Sequence, residues 1–274
     1  MVAELSSAEN QELLQAQQTI NSFLQDSEMF MIVSWNYSEF VDLVATYLKA
    51  YIEKATTVFV DRPIYMNLNR SFINLLSSMR SYLDFMDKLL VNRYGTDSGF
   101  RARFRQRCRR EYDDNLSYRF LYKLRNYSQH KGFPIGAISW GVAPSRDDPR
   151  KPDYFLHISA KRDSILRDFD WGPLTREIRA LPEAIDILAH AGSMMESLSS
   201  IHPQTIKSIF ATLGEAAHVV LEFGGRIARN EGQPVVFETE GDFRDQKKIA
   251  HRTLDIDMAA RIASGRLEDV IRYS

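Results

Sequence analysis

Apolar positions three and four residues apart run through the first half of the chain, the spacing of helices buried on one side. Ser6-Ser7-Ala8-Glu9 places an acid three residues after a hydroxyl, a capping box, and Leu13, Leu14, Ile20, Phe23 and Leu24 follow as one apolar face. A second helix is expected from about Asn36 to Thr57, carried by Phe40, Leu43, Val44, Tyr47, Leu48 and Tyr51. Beyond Pro63 a long third helix spans roughly Asn67 to Arg93 on Phe72, Leu75, Leu76, Met79, Leu83, Met86 and Leu90, and Tyr94 to Gly99 ends it as a loop. The next helix runs from Arg101 to His130 with a break near Asp113-Asp114-Asn115. Gly132 and then Pro134 stop it, so His130 falls in its last turn.

From there the period changes. Pro134 to Val142 and Tyr154 to Ser159 have the look of two short strands, joined through a Pro-, Asp- and Arg-rich loop from Ala143 to Asp153 as a hairpin. Helices are expected again over Leu174 to Ser200 and Pro203 to Asn230, a strand at Val235 to Phe237, and a closing helix from Met258 to Tyr273. The pattern predicts a mainly α fold: an antiparallel helical bundle with a small β-hairpin insertion and additional C-terminal helices. Residues 1–135 form the bundle in this division, and residues 136–274 a hairpin and helical extension packed on it.

Composition narrows the class. With 44% hydrophobic and 26% charged residues the chain can build a core of ordinary size and is not of disordered type. One cysteine, Cys108, excludes an internal disulfide framework and suits a reducing compartment. The polar first residues lack the pattern of a secretory leader, and no stretch approaches the roughly 18 apolar residues of a membrane span. A cytoplasmic protein without membrane contact is expected. The net charge of -1 hides an asymmetry: Arg93 to Lys131 holds eleven of the 35 Lys and Arg against four of the 36 acids, a local +7, which leaves 24 against 32, or -8, for the rest.

That basic segment ends on Arg125-Asn126-Tyr127-Ser128-Gln129-His130, residues suited to cutting RNA without a metal. The substrate's own 2′-hydroxyl is the nucleophile in such chemistry. A histidine can exchange protons near neutrality, and an always-charged guanidinium fits the oxygens of a crowded phosphorane. On a helix, Asn126 and His130 share one face, while Arg125 lies on the neighbouring row with Gln129. One histidine supplies only one of the two proton transfers, so a two-fold dimer that joins two motif helices would complete the site.

Arg125, the polar Asn126 beside it, and His130 after four intervening residues resemble the signature of the HEPN superfamily. The helix leading in through Tyr118 to Leu124 and Gly132-Phe133-Pro134-Ile135 following are similar too. The resemblance covers roughly residues 30 to 135. It implies a helical bundle that dimerises through the motif helices and a metal-independent, cofactor-free endoribonuclease, often in toxin–antitoxin or abortive-infection systems with an antitoxin or other regulatory protein. Arg125 and His130 would be catalytic, and Asn126 would orient them. Some members are silent and serve only as dimerisation or partner-binding modules.

Plainer readings stand beside these. Basic residues are favoured at helix C-termini for the dipole alone. Arg101, Arg103 and Arg105 with Lys123 and Lys131 form a candidate RNA-binding set, yet alternating arginines also describe a solvated or ion-paired face. Tyr112, Tyr118, Tyr122 and Tyr127 suit base stacking or, more simply, packing. Asp84 and Asp87 could anchor Arg125, but an i, i+3 acidic pair is more simply a polar edge and stays outside the site. His157, His190, His202, His218 and His251 show no metal-ligand spacing with one another or with Cys108. Gly192-Ser193 lacks the flanks of a nucleophile elbow, and Gly224-Gly225 is no phosphate loop.

Overall fold

A computed structural model describes residues 5–54, 62–145, 148, 150–226, 235–237 and 251–265. The fold is mainly helical with a small antiparallel sheet. Its contacts divide the chain into two compact units, residues 29–202 and residues 1–28 with 203–274.

In the larger unit, α2 (Glu28–Lys54), α3 (Arg62–Tyr94), α4 (Gly99–Asp114) and α5 (Leu116–His130) come first. The spine is α3, whose Leu68, Phe72, Leu75, Leu76, Met79, Met86 and Leu90 are all fully buried. Both α4 and α5 pack against it. By contrast α4 buries only Phe104, because seven of its 16 residues are arginine or glutamate outside the two terminal aspartates and offer almost no apolar stripe. The break between α4 and α5 falls at Asn115, as the sequence predicts. Its side chain accepts from the Ser117 and Tyr118 amides (2.9 and 3.4 Å) and donates to Ser197 Oγ (2.8 Å), so one residue caps α5 and ties it to a later helix.

Strands β1 (Ala137–Pro144) and β2 (Pro152–Lys161) form the expected hairpin, and β3 (Ala184–Asp186) adds to its other side through Ser159↔Asp186 to Lys161↔Ala184. Opposite Gly141 stands Phe155, whose ring covers the glycine at 2.2 Å from where a β-carbon would lie, so a larger residue there would require that exposed ring to swing away. Short helices α6 (Arg162–Asp168) and α7 (Thr175–Ala180) lie between β2 and β3, and α8 (Ile187–Phe210) follows. Two expectations are corrected here. The helix predicted over Leu174 to Ser200 is interrupted, because Pro182 stops α7 and β3 pairs with a strand twenty-five residues back. The predicted break at Pro203 is absent: α8 continues through it, with Leu198, Ile201, Ile206 and Ile209 buried on either side, and turns at 211–213 instead. Burial of those four side chains outweighs the hydrogen bond that proline removes.

In the smaller unit, α1 (Ser7–Asp26) begins with the predicted capping box, Ser6 N–H donating to Glu9 Oε2 at 2.9 Å and Glu9 N–H to Ser6 Oγ at 3.3 Å. Helix α9 (Gly214–Gly225) packs between α1 and α10 (Ile256–Ala263). Val235–Phe237 is the predicted strand, β4, and it pairs with β5 (His251–Thr253). Helix α9 ends at Gly225 and α10 at Ala263, where Gly265 takes a left-handed backbone, both short of the expected Asn230 and Tyr273; the expected end of α2 at Thr57 lies outside the described residues. Among those residues, no helix is long and apolar enough to cross a membrane.

Candidate functional site

The C-terminal half of α5 carries the motif. Phe120, Leu121, Leu124 and Tyr127 are buried, and their positions define the inward side of the helix. Tyr127 and Phe120 meet an aromatic group from beyond β2: Tyr127 lies 6.0 Å from Phe169 and 6.4 Å from Trp171, and Phe120 5.6 Å from Trp171, ring centre to ring centre. Trp171 is itself fixed, its Nε1 donating to Ile165 O at 2.8 Å. Burial raises the Tyr127 phenol above its ordinary range, so it stays protonated. The region after residue 135 thus backs the motif helix.

His130 is the last residue of α5 and is exposed. The stop differs from the glycine cap that the sequence suggests. Gly132 has no left-handed backbone; instead the Lys131 and Gly132 amides both donate to Tyr127 O, at 2.9 and 3.4 Å. The chain is then caught by Asn69 of α3, a wholly buried side chain. Its Oδ1 accepts from the Ile135 amide (3.1 Å), and its Nδ2 donates to Ile135 O (3.5 Å) and Tyr65 O (3.1 Å). This two-sided grip on one peptide unit fixes where the motif helix ends.

At about 100° per residue, His130 follows Asn126 and Lys123 along the open side of α5, while Arg125 sits about 140° from His130 at the edge of the buried side. That position explains its half-burial. Arg125 Nη1 makes one long contact, 3.4 Å, to Asn126 Oδ1, and its Nε is buried with no acceptor among the described residues. Among the described residues no carboxylate pairs with it. The same is not true of its neighbours. Arg119 pairs with Glu177 and caps α4 through the Tyr112 and Asp113 carbonyls at 3.0 Å each. Arg80 pairs with Asp84 at 2.8 Å and lies over the Tyr122 ring.

Of the expected binding set, Arg101 and Arg105 are both held by Asp87. Arg101 donates through Nε and Nη2 at 2.9 and 3.0 Å, and Arg105 through the same pair at 2.8 and 2.9 Å. Hydrogen bonds from Arg101 first, and then Arg105, hold the Asp87 carboxyl well below its ordinary range. Asp84 and Asp87 therefore anchor Arg80, Arg101 and Arg105, and not Arg125. Arg103 is exposed and rests over the Phe100 ring at 4.9 Å. The half-buried Lys123 has its amine beside Gly172, and Lys131 is exposed at the end of α5. The structure thus keeps Asn126, His130, Lys123 and Lys131 on the open side and end of α5, sets Arg125 at its flank, and removes Arg101 and Arg105 to an internal clamp.

Two further titratable groups are buried away from α5's open side. Burial pushes the Cys108 thiol up to about 12, so it is no nucleophile. His202 stacks on Phe30 at 4.1 Å, faces Tyr82 Oη across 3.2 Å, and is pushed by burial down to about 4. Among the described residues, no group of three His, Cys, Asp or Glu could hold a metal ion. Sequence reasoning missed Asn69 and Trp171; a polar residue within the apolar stripe of α3 was the only available sign of the first. No family model matches the chain, and no curated protein or solved structure does so.

Proposed function

We propose that this chain is a metal-independent endoribonuclease of HEPN type, acting as a homodimer through α5. The observation that carries the proposal is Arg125: a permanently charged group, half-buried, with a buried Nε lacking an acceptor, on the same helix end as an exposed histidine. An unpaired buried donor on a cation costs on the order of 1–3 kcal/mol, so the free chain leaves this guanidinium under-satisfied and its charge open to an anion.

His130 takes the proton from the 2′-hydroxyl, whose oxygen attacks the adjacent phosphorus. The P–O5′ bond breaks as the leaving oxygen collects a proton from His130 of the second copy. The products are a 2′,3′-cyclic phosphate and a 5′-hydroxyl, and no metal or cofactor takes part. Arg125 stabilises the phosphorane, and Asn126, in contact with it, sets its direction. Such an enzyme suits a toxin or defence role in the cytoplasm, restrained by an antitoxin or regulatory partner.

Incubating the purified chain with RNA in chelator tests this. Cleavage with cyclic phosphate ends is expected, lost in His130→Ala; equal cleavage by wild type and His130→Ala refutes it. A second reading, a catalytically silent dimerisation or partner-binding module, draws on the wide angle between Arg125 and His130 within one chain. It predicts an α5-dependent dimer without cleavage.

A further inference from the structure

The clamp on Arg101 and Arg105 leaves a second set of arginines on α4 facing the other way. Arg103, Arg107 and Arg110 fall within about 60° of one another around the helix axis, and Arg101 and Arg105 lie on the opposite side. Arg103 and Arg110 are exposed, and Arg107 is half-buried. No carboxylate pairs with Arg103 or Arg110 among the described residues. The three guanidiniums feel one another: the Arg107 pKa is lowered by burial first and then by the charges of Arg103 and Arg110. Like charges at this spacing disfavour the helix by a few tenths of a kcal/mol per pair.

One of the three is also held in place. The rings of Tyr94 and Phe100 stack at 4.3 Å, and the Arg103 guanidinium lies over Phe100. Stacking positions that cation without neutralising it, which leaves its fork available to an anion. The row is linear, about 6 Å from Arg103 to Arg107 and about 10 Å from Arg103 to Arg110 along the axis. A line of cations suits a polymer of evenly spaced anions better than a single phosphate. An anionic membrane fits poorly, since surface-seated helices need an apolar face and the only buried side chain on α4 is Phe104.

We propose that the Arg103, Arg107 and Arg110 row of α4 is a phosphate track for single-stranded RNA, separate from the motif on α5. The polyanion chemistry stands on α4 alone; the choice of RNA rests on the proposed activity. In this reading the binding role expected for Arg101, Arg103 and Arg105 passes to the outward row, and Arg101 and Arg105 serve the fold.

The test uses the full chain carrying His130→Ala, so that RNA stays whole, and the fluorescence anisotropy of a labelled single-stranded RNA oligomer at several salt concentrations. Arg103→Gln with Arg110→Gln should weaken binding about tenfold or more and lower the slope of log affinity against log salt by about 1.4, the loss of two phosphate contacts. Arg109→Gln with Lys49→Gln removes the same charge elsewhere and should change affinity less than about twofold. Equal losses in the two double variants overturn the track. So does wild-type-like binding by Arg103→Gln with Arg110→Gln, or tighter capture of an acidic peptide or anionic vesicle than of RNA. Track-dependent binding with no cleavage by the otherwise wild-type chain supports the track and sinks the nuclease reading. Cleavage with binding indifferent to Arg103 and Arg110 does the reverse.

Discussion

Two arginine sites on consecutive helices meet opposite fates. At the start of α4, Arg101 is only 15% exposed, yet its charge is fully answered: Asp87 accepts two hydrogen bonds from it and two more from Arg105. At the end of α5, Arg125 is half-buried and, among the described residues, answered by nothing stronger than a 3.4 Å contact with its neighbour's amide. A fold gains from the first arrangement and loses from the second. An uncompensated, partly desolvated cation is what the proposed phosphate contact would relieve. On that proposal, the difference separates arginines that build the molecule from one that would act for it.

The strongest way to break the comparison is to remove Arg125. Arg125→Ala should lower RNA cleavage by about 10²–10³-fold, the usual loss of one preorganised donor to a developing charge, while the urea midpoint stays unchanged or rises. A lower midpoint in urea titration would mean that Arg125 builds the fold after all. Next in size is Asn69→Ala, which strips both partners from the buried Ile135 peptide and should cost about 3 kcal/mol in the same titration.

A third prediction contrasts a buried group that can shed its charge with one that cannot. His202 is neutral in the fold, with its pKa lowered by burial to about 4 from 6.5. The unfolded chain takes up a proton below pH 6.5 and the folded chain does not, so stability falls as pH drops from 6.5 and levels off below 4, by on the order of 3 kcal/mol at most. His202→Gln, which can still meet Tyr82, should flatten that slope. Asp87, whose pKa is depressed, acts in a lower window: its contribution is present above the ordinary carboxylate range and is lost only as pH falls through its folded value.

The smallest expected effect sharpens the contrast most. Asp87→Ala should lower the urea midpoint slightly, mostly through Arg101, because Arg105 is 58% exposed and its half of the clamp is screened by solvent. It should also release two guanidiniums and raise RNA affinity several-fold at low salt. Unchanged affinity in the anisotropy assay would show that freeing a cation on this surface is not enough.

What the sequence revealed follows how local each device is. The Ser6–Glu9 box, the Asn115 break and the end of α5 at His130 are written within four residues and were legible. The start of α2 at Glu28 was obscured by Met29 to Val33, where an apolar run carries no period. Residues 174–186 were misjudged because β3 exists only by pairing with β2, and Pro203 because neighbouring burial overrides its cost. At the site, residue types and spacing were visible on α5, but the state of each arginine was not. Asp87 lies 14 and 18 residues from its partners across a turn, and nothing in the local pattern marks which cations it takes.

The central claim is that the guanidinium of Arg125 awaits a phosphate while that of Arg101 is already engaged. Side-chain ¹⁵N–¹H spectra of the arginine Nε groups, recorded as an uncleavable 2′-deoxy oligonucleotide is added to the full chain, address it most directly. The account predicts that the Arg125 resonance shifts while that of Arg101 stays in place. An Arg125 signal that ignores the oligonucleotide at saturation would contradict it.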